Sequence, residues 1–372
     1  MIKPGSTIGI IGGGQLGRMI AVSAALMGYK VHIFTDEKNS PASHVAFKTT
    51  VAKYTNKTAL KKFASEVDVV TFEFENIPHE SVKVLEGAVT VRPGWQALYI
   101  SQNRIREKDF LNSIGVGTAK YEKVTSAKSL EAAYKKIGPK CILKTTELGY
   151  DGKGQAFIDE NSNLAKLWRE GKFGTAVLEK LVDYKQEISV IVARSEDGSA
   201  IPFVPVENIH KSGILDTSIA PARVSAAVME DAWEKAHNIA DSLDLIGLLC
   251  VEFFVTKKDE LLVNELAPRP HNSGHWTMDA CITSQFEQLV RAVCGLPLGN
   301  TAYHSQAIMK NLIGEDIEKW EEFVKDPDTK IHIYGKLDAR PGRKMGHLNL
   351  VDPSGKNDLL ELGEKILKEY RL

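Results

Sequence analysis

Two glutamates and an asparagine set inside apolar strands are the residues of this chain best suited to chemistry. Cys250–Val255 and Leu261–Glu265 are short apolar runs joined by the polar stretch Thr256–Glu260, a pattern that reads as a β-hairpin. Glu252, Asn264 and Glu265 lie within those runs. A carboxylate is costly to bury unless something positive stands beside it. Hairpin pairing would gather the three, and hard oxygen donors in one place suit Mg²⁺ completed by phosphate oxygens. The same pattern also fits a half-buried sheet whose acids face water.

A second cluster lies upstream. A strand delivers Lys144 to a loop that holds Gly149, Gly152, Lys153 and Gly154. Glycines let backbone N–H groups approach phosphate oxygens, and lysines supply charge. No Gly-Lys-Ser/Thr opens a helix here, so this is not a Walker A loop. It reads as a lid over nucleotide phosphates, or as a hairpin tip with a solvated lysine. Further on, Glu179-Lys180-Leu181-Val182 ends an apolar strand that could present backbone groups to an adenine edge. Glu187 could accept from ribose hydroxyls, although acids at strand ends are as a rule solvated. His210 reads as part of an Asn-Ile-His turn, either in reach of the nucleotide or exposed.

The third motif, Gly12-Gly13-Gly14-Gln15-Leu16-Gly17, fits G-x-G-x-x-G between a strand and a helix, with Asp36 about twenty residues on. Amides at a helix N-terminus bind any anion. The loop therefore suits a dinucleotide, another phosphorylated ligand, or tight strand–helix packing alone.

The elements that must position these residues follow from hydrophobic periodicity. Strands are expected at Thr7–Ile11, Lys30–Phe34, Val67–Phe72 and Val89–Arg92, and helices at Gln15–Met27 and Lys57–Ser65, an alternation that implies a parallel α/β sheet. Tyr99–Ile114 reads as a helix or helix pair. Strands follow at Cys141–Lys144, Ala176–Glu179, Glu187–Ala193 and Lys330–Tyr334, helices at Met229–Leu243 and Thr283–Cys294, and a charged helix at the C-terminus. At 372 residues, two or three domains are expected. The net charge of −1 creates no global field for nucleic acid or an acidic membrane. The four cysteines lack metal-site spacing and read as buried free thiols in a reducing compartment. The chain shows neither a signal-peptide pattern nor a membrane-length apolar run, so a cytoplasmic protein is expected.

Taken in order, Gly12–Met19, Phe72–Pro78, Gly149–Gln155, Asn264–Thr277 and Arg340–His347 resemble the N5-carboxyaminoimidazole ribonucleotide synthetase family of ATP-grasp ligases. The resemblance spans nearly the whole chain. It implies an α/β (α+β overall) ATP-grasp fold: an N-terminal parallel α/β domain over 1–102, an ATP-grasp domain over 103–303 with a mobile lid at about 120–184, and a small C-terminal α+β domain over 304–372. It implies that ATP phosphorylates bicarbonate to carboxyphosphate. The amine of 5-aminoimidazole ribonucleotide then takes the carboxyl group, directly or through CO₂, in purine biosynthesis. Carried over by the resemblance, ATP would meet Arg104, Lys144, Gly149, Tyr150, Asp151, Gly152, Lys153, Gly154, Gln155, Glu179, Lys180, Leu181, Val182, Glu187, His210, Asn264 and Glu265, and Mg²⁺ would bind Glu252 and Glu265. The ribonucleotide would meet Gly14, Gln15, Leu16, Glu75 and Asn76, with Arg343 and Lys344 on its phosphate; Asn272 would border the bicarbonate or carboxyphosphate, and Ser273 would contact substrate. Arg269, His271 and Lys153 would serve the catalytic centre, with His275 structural. A homodimer is implied as well. The turn between Glu252 and Glu265 is one residue longer than in some relatives. Two other readings stand beside this one: an ATP-grasp carboxylase or ligase with a different acceptor, and an NAD-dependent oxidoreductase using Gly12–Gly17 and Asp36.

Overall fold

A computed structural model describes residues 1–147, 149, 154–171, 173–352 and 363. The expected C-terminal charged helix and residues Tyr150, Asp151, Gly152 and Lys153 of the lid fall outside the described residues. Among the described residues no helix is long and apolar enough to cross a membrane.

The N-terminal unit alternates β1 (Thr7–Ile11), α1 (Gln15–Leu26), β2 (Lys30–Thr35), β3 (Lys48–Val51), α2 (Lys57–Ala64), β4 (Val69–Phe72), α3 (His79–Glu86) and α4 (Trp95–Ser101). Its strands form a parallel sheet in the order β3-β2-β1-β4. Ile8, Ile10, Val31, Ile33, Val69 and Val70 are buried, as expected for a parallel sheet covered on both faces. The polar edge strand β3 carries no apolar alternation and is legible only from its pairing with β2. Val89–Arg92, expected as a strand, makes one bridge, Val70 to Val91. Pro93 follows it and has no N–H to extend a ladder.

The next unit contains α5 (Arg104–Ser113), β5 (Tyr121–Val124), α6 (Ala127–Ile137), β6 (Cys141–Thr145), β7 (Gln155–Ile158), α7 (Leu164–Gly171) and β8 (Ala176–Lys180). Its four strands form an antiparallel sheet ordered β5-β8-β6-β7.

The remaining elements are β9 (Tyr184–Arg194), β10 (Ala200–Pro202), β11 (Val206–Lys211), β12 (Ile214–Ala220), α8 (Ala226–Ser242), β13 (Gly247–Thr256), β14 (Leu261–Ala267), α9 (Thr277–Ala280), α10 (Gln285–Val293), β15 (Gln306–Ile313), α11 (Trp320–Phe323), β16 (Thr329–Ile333) and β17 (Lys344–Asp352). They build a nine-stranded sheet, β14-β13-β9-β11-β12-β15-β17-β16, with β10 on β9. The expected C-terminal unit therefore continues the same sheet, through antiparallel pairing of β15 with β12.

Alternation along β9 and β13 sorts this sheet into two faces. Ile188, Val190, Val192, Val251, Phe253 and Val255 pack against Val228, Ala232, Ala236 and Ile239 of α8. Each fully buried side chain of this size contributes about 1.5–3 kcal/mol. Glu187, Ser189 and Glu252 project from the opposite face, and Glu252 stands opposite Ser189 in register.

The turn after β1 is the tightest approach in the N-terminal unit. Gly12 has φ +112°, and a Cβ there would collide with Glu73 Cγ and lie 2.8 Å from Phe74 Cδ1. Gly12→Ala should destabilise the protein by about 1–3 kcal/mol, measured by chemical unfolding.

Candidate active site

The hairpin of β13 and β14 sets Glu252 directly opposite Glu265. Phe253 then pairs with Val263, so Asn264 is the extra residue of a β-bulge. Each carboxylate has a cationic neighbour. Glu252 Oε1 lies 3.0 Å from His271 Nε2, and Glu265 Oε2 accepts from Arg104 Nη1 at 3.3 Å. Burial would raise the Glu252 carboxyl, but His271 holds it down at about 2. Two hard carboxylates side by side suit Mg²⁺ shared with phosphate oxygens. Among the described residues no group of three or more His, Cys, Asp or Glu side chains is placed to hold a metal ion, so a cation here would draw its remaining ligands from substrate or water.

On the nucleotide side, Glu179 of β8 is buried between two lysines. Lys144 Nζ lies 2.9 Å from its Oε2 and Lys108 Nζ 3.3 Å from its Oε1. Burial opposes ionisation of Glu179, yet Lys108 and Lys144 hold it at about 2. Burial also lowers the Lys144 ammonium, against the pull of Glu179. Sequence reading missed Lys108, which is 1% exposed. Its signal was the four-residue spacing from Arg104, which puts both cations on one face of α5. Glu107, on the same helix, accepts from the Leu266 N–H at 2.7 Å; burial and the nearby Glu265 push its carboxyl up to about 8.

Arg104 Nη2 also donates to the Gly149 carbonyl at 3.5 Å, and Lys144 pairs in register with Gln155. Gly154 adopts φ +71° and its carbonyl accepts from Thr145 N–H. Along the Glu179–Val182 hinge, the Lys180 and Leu181 amides donate to Lys120 and Lys140 carbonyls. What these two residues can offer an adenine is therefore their carbonyls. Glu187 Oε2 lies 2.6 Å from His210 Nδ1. His210 belongs to strand β11 rather than to a turn, a correction that follows from the pairing of β11 with both β9 and β12.

The first glycine loop holds an unexpected anion. Gly14 N–H donates to Glu73 Oε1 at 2.5 Å, and Gly17 N–H to Glu73 Oε2 at 2.8 Å. The N-terminus of α1 thus receives a carboxylate of the protein itself, which leaves those amides unavailable to a dinucleotide pyrophosphate and removes the main support for the oxidoreductase reading. Leu16 is buried in the core, Gln15 is half-buried and Asn76 is exposed. Glu75 pairs with Arg269 Nε, and Arg269 Nη1 donates to the Pro270 carbonyl at 3.0 Å. Burial would raise Glu75, but Arg269 holds it below its ordinary range.

The stretch after β16 folds back onto the N-terminal unit. A Cβ on Gly335 would lie 3.2 Å from His44 Nδ1 and 3.8 Å from Arg18 Nη1, so the turn after β16 packs on the N-terminal unit. Lys336, missed by sequence reading, donates to the Lys344 carbonyl at 2.6 Å. Burial, reinforced by the charge of Arg343, pushes its ammonium down to about 8. Arg343 and Lys344 are half-buried beside it, whereas Arg340 is exposed. His347, within the Arg340–His347 motif, is fully buried and lies 2.9 Å from the Tyr334 hydroxyl through Nδ1, so it is no part of a phosphate grip.

The 3₁₀ turn Asn272–Gly274 sits over the polar face of the large sheet, against β11 and β12. Both polar atoms of the Asn272 amide are buried with no hydrogen-bond partner among the described residues. Ser273 is fully buried and its hydroxyl is engaged by Ser189 and His271. His275 is buried with Nδ1 beside Gln285 Nε2 at 3.0 Å, and burial lowers its basicity well below the ordinary range.

The sequence matches three family descriptions in succession: ribonucleotide synthetase preATP-grasp domain at 5–102, ATP-grasp domain at 109–286, and phosphoribosylaminoimidazole carboxylase C-terminal domain at 307–361. It is 47% identical over 355 residues to the N5-carboxyaminoimidazole ribonucleotide synthase of Brucella melitensis, covering 95% of this chain and 98% of that one. A crystal structure of the ADP complex of an N5-carboxyaminoimidazole ribonucleotide synthetase superposes with TM-score 0.95 at 41% identity, covering 100% of this chain and 97% of the other. The Aspergillus clavatus synthase in complex with ADP and 5-aminoimidazole ribonucleotide superposes with TM-score 0.90 at 28% identity, covering 98% and 97%.

Removing one partner of the buried Glu179 cluster tests its charge balance. Glu179→Gln should cost about 3–5 kcal/mol at neutral pH, because two buried ammonium groups lose their counter-charge. The wild-type advantage exists above the ordinary carboxyl value of 4.5 and is lost as pH falls toward about 2. Urea titrations of both proteins should therefore converge across that window.

Proposed function

The chain belongs to the N5-carboxyaminoimidazole ribonucleotide synthase family of ATP-grasp enzymes, and on that premise we propose how its residues divide the work. The reaction is the ATP- and bicarbonate-dependent carboxylation of the amine of 5-aminoimidazole ribonucleotide, a step of purine biosynthesis. A bicarbonate oxygen attacks the γ-phosphorus of ATP and ADP leaves, giving carboxyphosphate. The ribonucleotide amine attacks the carboxyl carbon, the C–O bond to phosphate breaks, and the amine proton departs with the phosphate.

The observation that carries the assignment is Glu252 opposite Glu265, with Arg104 and His271 on the two carboxylates. In our reading Arg104 and Lys144 bind the ATP phosphates, beneath the Gly149–Gln155 loop that includes Lys153. Glu179–Val182 borders the adenine, and Glu187 with His210 the ribose. Glu252 and Glu265, with Asn264 beside them, would hold Mg²⁺; when bound, Mg²⁺ supplies charge neutralisation at the β- and γ-phosphates. Arg269 and His271 border the carboxyphosphate, where a planar guanidinium can grip a carboxylate or phosphate through two N–H groups. Asn272 supplies unpaired amide atoms to the same place. Glu75 and Asn76 face the aminoimidazole, and Lys336, Arg343 and Lys344 its phosphate. A neutral amine attacking an activated carboxyl needs positioning and water exclusion more than a strong base. The proposal extends to a division at 1–102, 103–303 and 304–372 and, from the resemblance, to a cytoplasmic homodimer.

The test is ADP release from Mg-ATP and bicarbonate with and without 5-aminoimidazole ribonucleotide. Release should depend on the ribonucleotide. Glu252→Gln and Glu265→Gln should each lower kcat by about a hundredfold or more while leaving the unfolding transition in place. Full activity in both variants would sink the metal assignment.

A further inference from the structure

A line of polar side chains crosses the interior of the large sheet and stops at one imidazole nitrogen. Ser218 Oγ on β12 donates to Asn208 Oδ1 on β11 at 2.9 Å, and Asn208 Nδ2 donates to Ser189 Oγ on β9 at 2.9 Å. Ser189 Oγ lies 2.7 Å from Ser273 Oγ, which lies 2.8 Å from His271 Nδ1. The four are between 0% and 6% exposed. The far nitrogen of the same ring, Nε2, meets Glu252.

Register explains the continuity. Asn208 stands opposite Ser218 and Ser189 opposite Glu252, while the Asn208–Ser189 link steps diagonally, because Asn208's register partner on β9 is Glu187. The chain therefore runs across the strands, one residue per strand, and its next neighbour in the row is the proposed metal carboxylate. Apolar side chains at these positions would fill a core without any need for mutual satisfaction. Four linked polar groups instead demand that every member be paired. Ser189, Asn208 and Ser218 sit on rigid strands; Ser273 sits on the turn that carries Asn272. Their common terminus is His271 Nδ1. Turning that ring about its Cβ–Cγ bond would break its hydrogen bond to the Ser273 hydroxyl and leave Ser189 as that hydroxyl's side-chain partner, at a cost of about 1.5–3 kcal/mol.

We infer that Ser218, Asn208, Ser189 and Ser273 form a positioning chain that fixes the His271 imidazole against Glu252, so that the ring is already oriented when ATP and bicarbonate arrive. The inference rests on the proposed roles of His271 and Glu252. The chain touches no substrate and acts through His271 alone, in the way outer hydrogen-bond partners orient the groups that do the binding.

A double-mutant cycle tests this, with ADP release measured in single turnover so that slow variants can be read. Ser189→Ala should lower the rate about tenfold in the otherwise native enzyme, with the KM for ATP changed less than about twofold. In a His271→Asn background the same substitution should change the residual rate less than about twofold, because the group being positioned is gone. Equal fold losses in the two backgrounds, or no loss in the native one, would overturn the chain. If Ser189→Ala does not fold, Ser218→Ala at the far end carries the same cycle and the same expectation. A native enzyme that releases no ribonucleotide-dependent ADP overturns the proposed function and this inference together; one that does, without coupling, overturns the chain alone.

Discussion

A β-strand packed against a helix can bury only one of its two faces there, and the site depends on that constraint. Along β9 and β13 the residues that meet α8 are Ile188, Val190, Val192, Val251, Phe253 and Val255. The residues between them must then share the other face, whatever their chemistry. That face holds Glu187, Ser189 and Glu252, and pairing adds Asn208, Ser218 and Glu265. A slip of one residue would drive the acids into α8 and expose the valines. The apolar contacts of one face thus hold the register of the polar groups on the other.

Burying so many carboxylates requires an equal supply of partners, and these come from distant parts of the chain. Glu73 takes the amides of the first glycine loop, Glu75 takes Arg269 and Glu179 takes Lys108 and Lys144, while the partly exposed Glu265 takes Arg104. Such pairs add little net stability over apolar packing, but a wrong arrangement leaves a buried charge alone and is strongly penalised. Their effect is to make one relative placement of the three units far better than others. Arg269 joined to Glu75 brings β14 to the N-terminal sheet, and Arg104 joined to Glu265 fixes α5 on the hairpin.

What could be read from the sequence follows the range of each interaction. The Glu252–Glu265 pairing was legible because a short hairpin fixes its register locally. The parallel sheet was legible because β1, β2 and β4 are apolar runs separated by helical periods. The edge strand Lys48–Val51 was not, since it is polar and exists only by pairing with β2. The anion at α1 was hidden because a glycine loop looks the same whether it meets a phosphate or the Glu73 carboxylate. Ser273 was expected at a substrate only through the resemblance, and its local sequence gives no hint that its hydroxyl is engaged by Ser189 and His271. Lys336 and the chain from Ser218 to Ser273 depend on contacts between residues far apart in sequence, which no local spacing encodes.

The seam between β12 and β15 has one more consequence. Since the last strands extend the large sheet instead of forming a body of their own, no flexible joint separates them from the hairpin that carries the acids. Trimming the chain before β15 would bare a full ladder of N–H and C=O groups along β12, flanked by apolar Ile219. An unprotected edge of that kind recruits the edge of another molecule. The C-terminal strands therefore also act as a guard against self-association, and shortened forms of this enzyme would fail by aggregating before they failed by losing a substrate contact.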